Sequence, residues 1–336
     1  MFTSNEEQIA ALLDLSARLG SDSLLVQANT GNTSIKLDGV LWIKASGKCL
    51  ADAKRDEILV PVPLADIAQR IREHSDSFPP YPGKSGKLLH GSVETAMHGV
   101  LPHRVVIHVH SVNTIAWAVR SDGPTQLKQR LAGLNWQWIP YVASGLPLSL
   151  EIEKRLFHCP DANVFVLANH GLVVCGDTCK SCEKLLCEIE RRLAVIPRIA
   201  PPPDYSFLAN IAAHSKWRLP TDDALHSLAT DPVCRKLHSG GVLYPCQAMF
   251  LEYEQNRNDG AVPFLIVQRS GVLISQTISR TERAMLVAYV QILQRLSDSV
   301  PVRYLDRNEI EAARRFGTDR YGALAQVNQT GTALSA

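Results

Sequence analysis

The stretch Arg104-Val105-Val106-Ile107-His108-Val109-His110 decides how the rest of the chain is read. An apolar run of this kind reads as a strand, and alternation along a strand puts His108 and His110 on one face. Two neutral imidazoles converging there are two ligands for a divalent metal. A third candidate, His170, follows another apolar run, Val164-Phe165-Val166-Leu167-Ala168, and precedes Gly171. Glu94 lies fourteen residues before His108, on a stretch, Leu88 to Leu101, that reads as helix despite Gly91 and Gly99. Three histidines and a carboxylate fit an open catalytic zinc site better than a closed structural one.

Outward from this centre, Ser4-Asn5-Glu6-Glu7 has the form of a capping box. Ile9, Leu12, Leu13, Leu15 and Leu19 give the helix it opens an apolar side, with Gly20 as its stop. From Gln27 to Pro63 the pattern turns to short β-rich pieces. They are Thr33 to Leu37, an Asp38-Gly39 turn, Val40 to Lys44, and Ile58 to Val60, a hairpin-led antiparallel sheet. Leu64 to Glu73 reads as a short helix and Pro79 to Gly83 as a loop. Helices from about Thr114, from Leu148 to Phe157 and from Cys179 to Leu193 complete one unit. The elements are mixed rather than strictly alternating, which predicts α+β layers around a mainly antiparallel sheet, not a doubly wound parallel one.

Pro201-Pro202-Pro203 centres a stiff linker over 199–204, dividing a metal-binding unit over 1–198 from a smaller α/β unit over 205–325. In that second unit 241–244, 249–253, 264–268 and 272–275 read as strands and Thr281 to Leu296 as an amphipathic helix. It shows no cluster of His, Asp and Glu, and 326–336 reads as a mobile tail.

At 336 residues, 46% hydrophobic and 20% charged, the chain has material for at least one large core. A formal charge of +2 without a long Lys/Arg block excludes the footprint of a nucleic-acid or membrane-surface binder, so the expected partner is a small molecule. The first residues lack a basic stretch followed by an apolar core, and the expected compartment is the cytoplasm. Eight cysteines without a C-x-x-C pair of pairs are expected to stay reduced. Cys179 and Cys182, spaced i, i+3, read as thiols packing a helix rather than as metal ligands.

A metal on three neutral histidines keeps its charge and an open position for substrate oxygens, and Glu94 beside it is a proton carrier. His90, His98 and His103 read as packing, supporting or surface residues. Two turns of small polar groups, Asn29-Thr30-Gly31-Asn32-Thr33-Ser34 and Ala45-Ser46-Gly47-Lys48, are able to present amides and N–H groups to a phosphate or carboxylate.

In chain order, Gly31-Asn32-Thr33-Ser34, Ser46-Gly47, Ser92-Val93-Glu94, His108-Val109-His110 and Asn169-His170-Gly171 resemble the class II aldolase/adducin family over roughly residues 5 to 195. The part after the prolines resembles the extra segment of longer rhamnulose-phosphate aldolase relatives, and no nucleotide-binding glycine fingerprint occurs in it. The resemblance implies an α/β/α layered, class II aldolase-like fold with a smaller α/β C-terminal domain. It implies Zn2+, or another divalent ion such as Mn2+, Co2+ or Fe2+, on His108, His110 and His170, with Glu94 as the acid/base. Asn32, Ser46, Gly47 and Ser92, with Asn29, would line the pocket for the phosphate of a sugar-phosphate substrate. The implied enzyme is a lyase of carbohydrate metabolism, a cyclic homotetramer. In its reaction the glutamate deprotonates dihydroxyacetone phosphate to an enediolate that adds to an aldehyde, or the reverse.

Two positions depart from that pattern. Val93 stands where phosphate-using relatives have a second serine, and no tyrosine occurs between His110 and Tyr141 to protonate the aldehyde oxygen. The alternatives are a decarboxylase or dehydratase on the same scaffold, and a non-enzymatic, adducin-like interaction module that has no need of the ligands.

Overall fold

The computed structural model describes residues 4–83, 86–251 and 262–317. The chain forms two compact units, Met1–Ala118 with Gly123–Ala194, and Val119–Asp122 with Val195–Ala336. The expected tail over 326–336 lies outside the described residues.

The first unit opens with α1 (Asn5–Ser21), whose capping box is present in full: Glu7 N–H donates to the Ser4 hydroxyl, and Ser4 N–H to the Glu7 carboxylate. β1 (Asn32–Leu37) and β2 (Val40–Lys44) form the expected hairpin. Its Asp38-Gly39 turn has φ of +48° and +79°, the pair of positive values that matches the twist of two-residue hairpins. There follow β3 (Leu59–Pro63), α2 (Leu64–Arg72), the short pair β4 (Tyr81–Pro82) and β5 (Leu88–Leu89), and α3 (Thr95–Val100). Next come β6 (Val105–Val109), α4 (Val112–Ala118), α5 (Gly123–Arg130) and β7 (Trp136–Ile139), then α6 (Leu146–His158), β8 (Val164–Leu167), β9 (Gly171–Gly176) and α7 (Cys179–Leu193).

Seven strands make one sheet in the order β3-β2-β1-β6-β9-β8-β7, antiparallel throughout except where β7 runs parallel to β8. β6 lies at its centre, and each of its residues is buried. Alternation sorts the side chains. Val106 joins Met97, Leu101, Leu148, Ile152, Phe165 and Val173 in a core under α3 and α6. On β1, the Thr33 hydroxyl meets Ser16 of α1 at 2.6 Å, while Asn32 and Ser34 turn to the α3 side and meet His98. In register, Asn32 stands opposite His108 and Ser34 opposite Val106, so the face carrying His108 is the face that α3 covers.

Two expectations for this unit change. The helix read over 88–101 exists only as α3, because Gly91 bridges Ala45, Ser46 N–H donates to the His90 carbonyl, and Ser92 N–H to that of Lys44. The loop read over 79–83 contains β4, paired to β5.

The second unit has α8 (Tyr205–Ala212), β10 (Trp217–Arg218), α9 (Ser227–Thr230), α10 (Pro232–Ser239), α11 (Pro245–Phe250), β11 (Phe264–Val267), β12 (Gly271–Ser275), α12 (Arg280–Gln294) and α13 (Arg307–Gly317). Its sheet runs β10-β12-β11. The strand expected at 241–244 is a non-repetitive lead into α11. That at 249–253 is overturned where it is described: Met249 and Phe250 end α11, which Pro245 starts, while Glu252 and Tyr253 lie outside the described residues. No helix among the described residues is long and apolar enough to cross a membrane.

Candidate metal centre and active site

β6 delivers His108 from its last residue but one, and His110 follows directly after the strand; both are buried. His170 comes from the turn joining β8 to β9, where Asn169 takes φ +51° and His170 N–H donates to the Leu167 carbonyl. Asn is among the few non-glycine residues that accept this left-handed conformation readily. The three imidazoles sit at ring-centroid separations of 5.0, 5.0 and 5.1 Å with interplanar angles of 72°, 74° and 70°, close to threefold symmetry. Among the described residues they are the group of His, Cys, Asp and Glu side chains with the spacing of metal ligands, their ligand atoms within 4.8 Å of one another.

Hydrogen bonding decides which nitrogens face inward. His108 Nδ1–H donates to the Leu172 carbonyl at 3.1 Å, leaving Nε2 bare and 3.1 Å from His110 Nε2. Two lone pairs cannot share that space without a proton or a cation between them. Nitrogens bonded to one zinc at about 2.0–2.1 Å lie about 3.3 Å apart in a tetrahedral set, so the spacing fits an ion. Burial holds the imidazoles neutral: His108 and His170 are pushed down to about 4 and His110 well below its ordinary value, which keeps ligand lone pairs available near pH 7. The buried thiols are different. Burial raises Cys182 to about 12, so it stays a protonated packing group, as the sequence suggests; all eight cysteines are free.

Glu94 occupies the N-cap position of α3 without using its carboxylate as a cap. Oε1 lies 3.4 Å from both His108 Nε2 and His170 Nε2, and Oε2 accepts from Asn32 Nδ2 at 2.7 Å. Asn32 Nδ2 also donates to Ser92 Oγ at 3.0 Å. The fold thus brings Asn32, Ser92, Glu94 and the three histidines together.

The two polar turns are joined by a residue that sequence reading passes over. Lys44 ends β2 with 2% exposure, and its Nζ donates to the Asn29 carbonyl at 2.8 Å and the Lys48 carbonyl at 2.6 Å. Its own carbonyl accepts from Ser92 N–H. Lys44 therefore fastens the turns of Asn29, of Ser46 and Gly47, and of Ser92 to one another. A charge at the end of an apolar strand ordinarily reaches solvent, so the sequence signal is weak.

Burial pushes Lys44 down to about 8 from 10.5. The unfolded chain then holds the extra proton between those values, and stability rises with pH across that window. The shift corresponds to about 3 kcal/mol. Urea unfolding at pH 7.5 and 10.5 is expected to show wild type gaining about that much relative to Lys44→Met; a gap independent of pH would mean that the ammonium is not held in a dry site.

Gly171 marks how tightly the histidines are backed. A Cβ there would lie 2.6 Å from the Val109 carbonyl oxygen, 3.3 Å from His110 Cδ2 and 3.4 Å from His108 Cε1. Since the nearest atom is backbone of the central strand, Gly171→Ala is expected to cost about 1–3 kcal/mol in urea unfolding and to weaken zinc binding measured by calorimetry. Unchanged stability and affinity would show that β6 and β9 have slack.

The family model described as the class II aldolase and adducin N-terminal domain matches residues 10–196. Among curated proteins, the uncharacterized oxidoreductase YuxG of Bacillus subtilis is 29% identical over 179 residues, 49% of this chain and 26% of that protein. The chain thus spans about a quarter of that relative's length. L-fuculose phosphate aldolase of Methanococcus vannielii is 28% identical over 158 residues, 47% of this chain and 78% of that one. Among solved structures, the N-terminal class II aldolase domain of a conserved protein from Thermoplasma acidophilum aligns with TM-score 0.47 and 24% identity, over 57% of this chain and 95% of that one. With the match covering more than half of its residues, the chain belongs to the class II aldolase and adducin family.

Proposed function

We propose that the protein is a metal-dependent aldolase, a carbon–carbon lyase acting on a sugar phosphate or a related hydroxy-carbonyl compound. The observation that carries this reading is the convergence of three neutral imidazoles on one point beside Glu94 Oε1. A divalent cation on His108, His110 and His170, Zn2+ or a similar ion, supplies a Lewis acid for the oxygens of a hydroxy-carbonyl substrate.

The chain's own groups account for the rest. Glu94 keeps Oε2 occupied by Asn32 and carries the proton at Oε1, taking it from the carbon beside the carbonyl in one direction and returning it in the other. Its burial keeps water from competing for that proton. Lys44 holds the turns of Asn29 and of Ser46 and Gly47 together, and its buried charge favours an anionic group in front of them. Val93 leaves Ser92 as the hydroxyl of its turn. The likeness to a protein named L-fuculose phosphate aldolase supports the lyase reading over the alternatives.

The test has two stages. Metal-depleted protein is titrated with Zn2+ by calorimetry, with one equivalent bound per chain expected. The zinc-loaded protein is then incubated with dihydroxyacetone phosphate in D2O, where NMR is expected to show one carbon-bound proton exchanged. Binding without exchange moves the reading to decarboxylation or dehydration. Failure to bind Zn2+, Mn2+, Co2+ or Fe2+ leaves only an interaction module.

A further inference from the structure

His98 is fully buried on α3, one turn beyond Glu94, and the reaction as described gives it no part. Its ring nitrogens are both engaged: Nε2 lies 2.5 Å from Asn32 Oδ1 and Nδ1 lies 2.6 Å from Ser34 Oγ. The direction of each bond follows from what the groups are able to donate. The Glu94 carboxylate only accepts, so the Asn32 atom 2.7 Å from Oε2 must be the amide nitrogen. The opposite amide orientation would set two acceptors against each other. Asn32 Oδ1 therefore faces His98 and only accepts, which puts the imidazole proton on Nε2. Nδ1 is then bare and accepts from the Ser34 hydroxyl.

We propose that His98 is a positioning residue: with Ser34 behind it, it fixes the Asn32 amide, and through that amide it holds the Glu94 carboxylate with Oε2 anchored and Oε1 turned to the three imidazoles. The chain of donation runs one way, from Ser34 to His98 to Asn32 to Glu94. Each bond polarises the next. Burial reinforces it by pushing His98 well below its ordinary value, so that the ring stays uncharged and keeps one donor and one acceptor. Both Asn32 amide hydrogens are engaged, on Ser92 and Glu94, so the side-chain amide is set to aim the carboxylate. This inference rests on the role proposed for Glu94.

Three measurements test it. In metal-free, 15N-histidine-labelled protein, two-bond 1H–15N spectra at neutral pH are expected to show His98 protonated at Nε2 alone; protonation at Nδ1 would overturn the donor chain. The Asn32 side-chain amide is expected to exchange slowly with solvent in wild type and in His98→Gln, whose amide nitrogen replaces Nε2, but rapidly in His98→Met. In the zinc-loaded protein, His98→Met is expected to lower kcat for deuterium exchange roughly 10- to 100-fold, with KM and zinc affinity little changed, and His98→Gln to restore it. Equal loss in both variants would make His98 a packing group, and no loss in either would remove it from the mechanism. A wild type that binds zinc yet exchanges nothing would instead reject the aldolase reading, while the two spectroscopic results still judge the donor chain.

Discussion

Glu94→Gln is expected to end deuterium uptake by dihydroxyacetone phosphate while zinc binding and the fold persist. The substitution keeps the volume and an oxygen able to accept from Asn32 Nδ2, which lies 2.7 Å from Oε2 in the wild type. What it removes is the atom proposed to take the proton: Oε1, 3.4 Å from both His108 Nε2 and His170 Nε2, becomes an amide nitrogen. Positioned general acid–base groups contribute about 10²- to 10⁴-fold, or roughly 3 to 5 kcal/mol of barrier. NMR in D2O with matched zinc loading reads the loss directly. Exchange within a few-fold of wild type would place the base elsewhere.

His110→Ala is expected to strip the metal with the fold retained. His110 stands outside the apolar core under α3 and α6, so that core survives its loss. The effect on the ion is large because the site has three nitrogens to give. Structural zinc sites bind with about 10–16 kcal/mol over four ligands, so one ligand is worth about 3 kcal/mol and its loss weakens binding by roughly 10²-fold or more. Elemental analysis after gel filtration, beside a circular dichroism spectrum, checks both halves. A variant that unfolds on purification would make the centre structural; one that keeps its zinc would remove His110 from the ligand set.

Much of the centre was legible because its residues obey short-range rules. Alternation alone puts His108 and His110 on one face, and an apolar run ending in Asn169-His170-Gly171 marks a strand end where a side chain is free to turn inward. The capping box at Ser4 and the period of 179–193 gave α1 and α7 within a residue or two. Where distant backbone competes, local reading fails. Residues 90–92 carry helical periodicity, yet they spend their backbone on the end of β2, so α3 starts only after Glu94. That shift is what frees the carboxylate to face the histidines. Pro245 was the overlooked signal for α11, since proline after an extended residue suits the first helical position. Lys44 and His98 show nothing locally, because their partners lie in other turns and strands and meet them only in the folded chain.

β6 and β9 lie side by side, so His170 meets His108 and His110 only after some sixty residues of intervening chain have closed. Long-range pairing of this kind is slow to form, and until it closes a cation meets at most the local pair His108 and His110, without the third ring. A divalent cation held by the three rings would report finished assembly: Zn2+ added during refolding is expected to leave the forward rate nearly alone and chiefly to retard unfolding, lengthening the lifetime of the native protein.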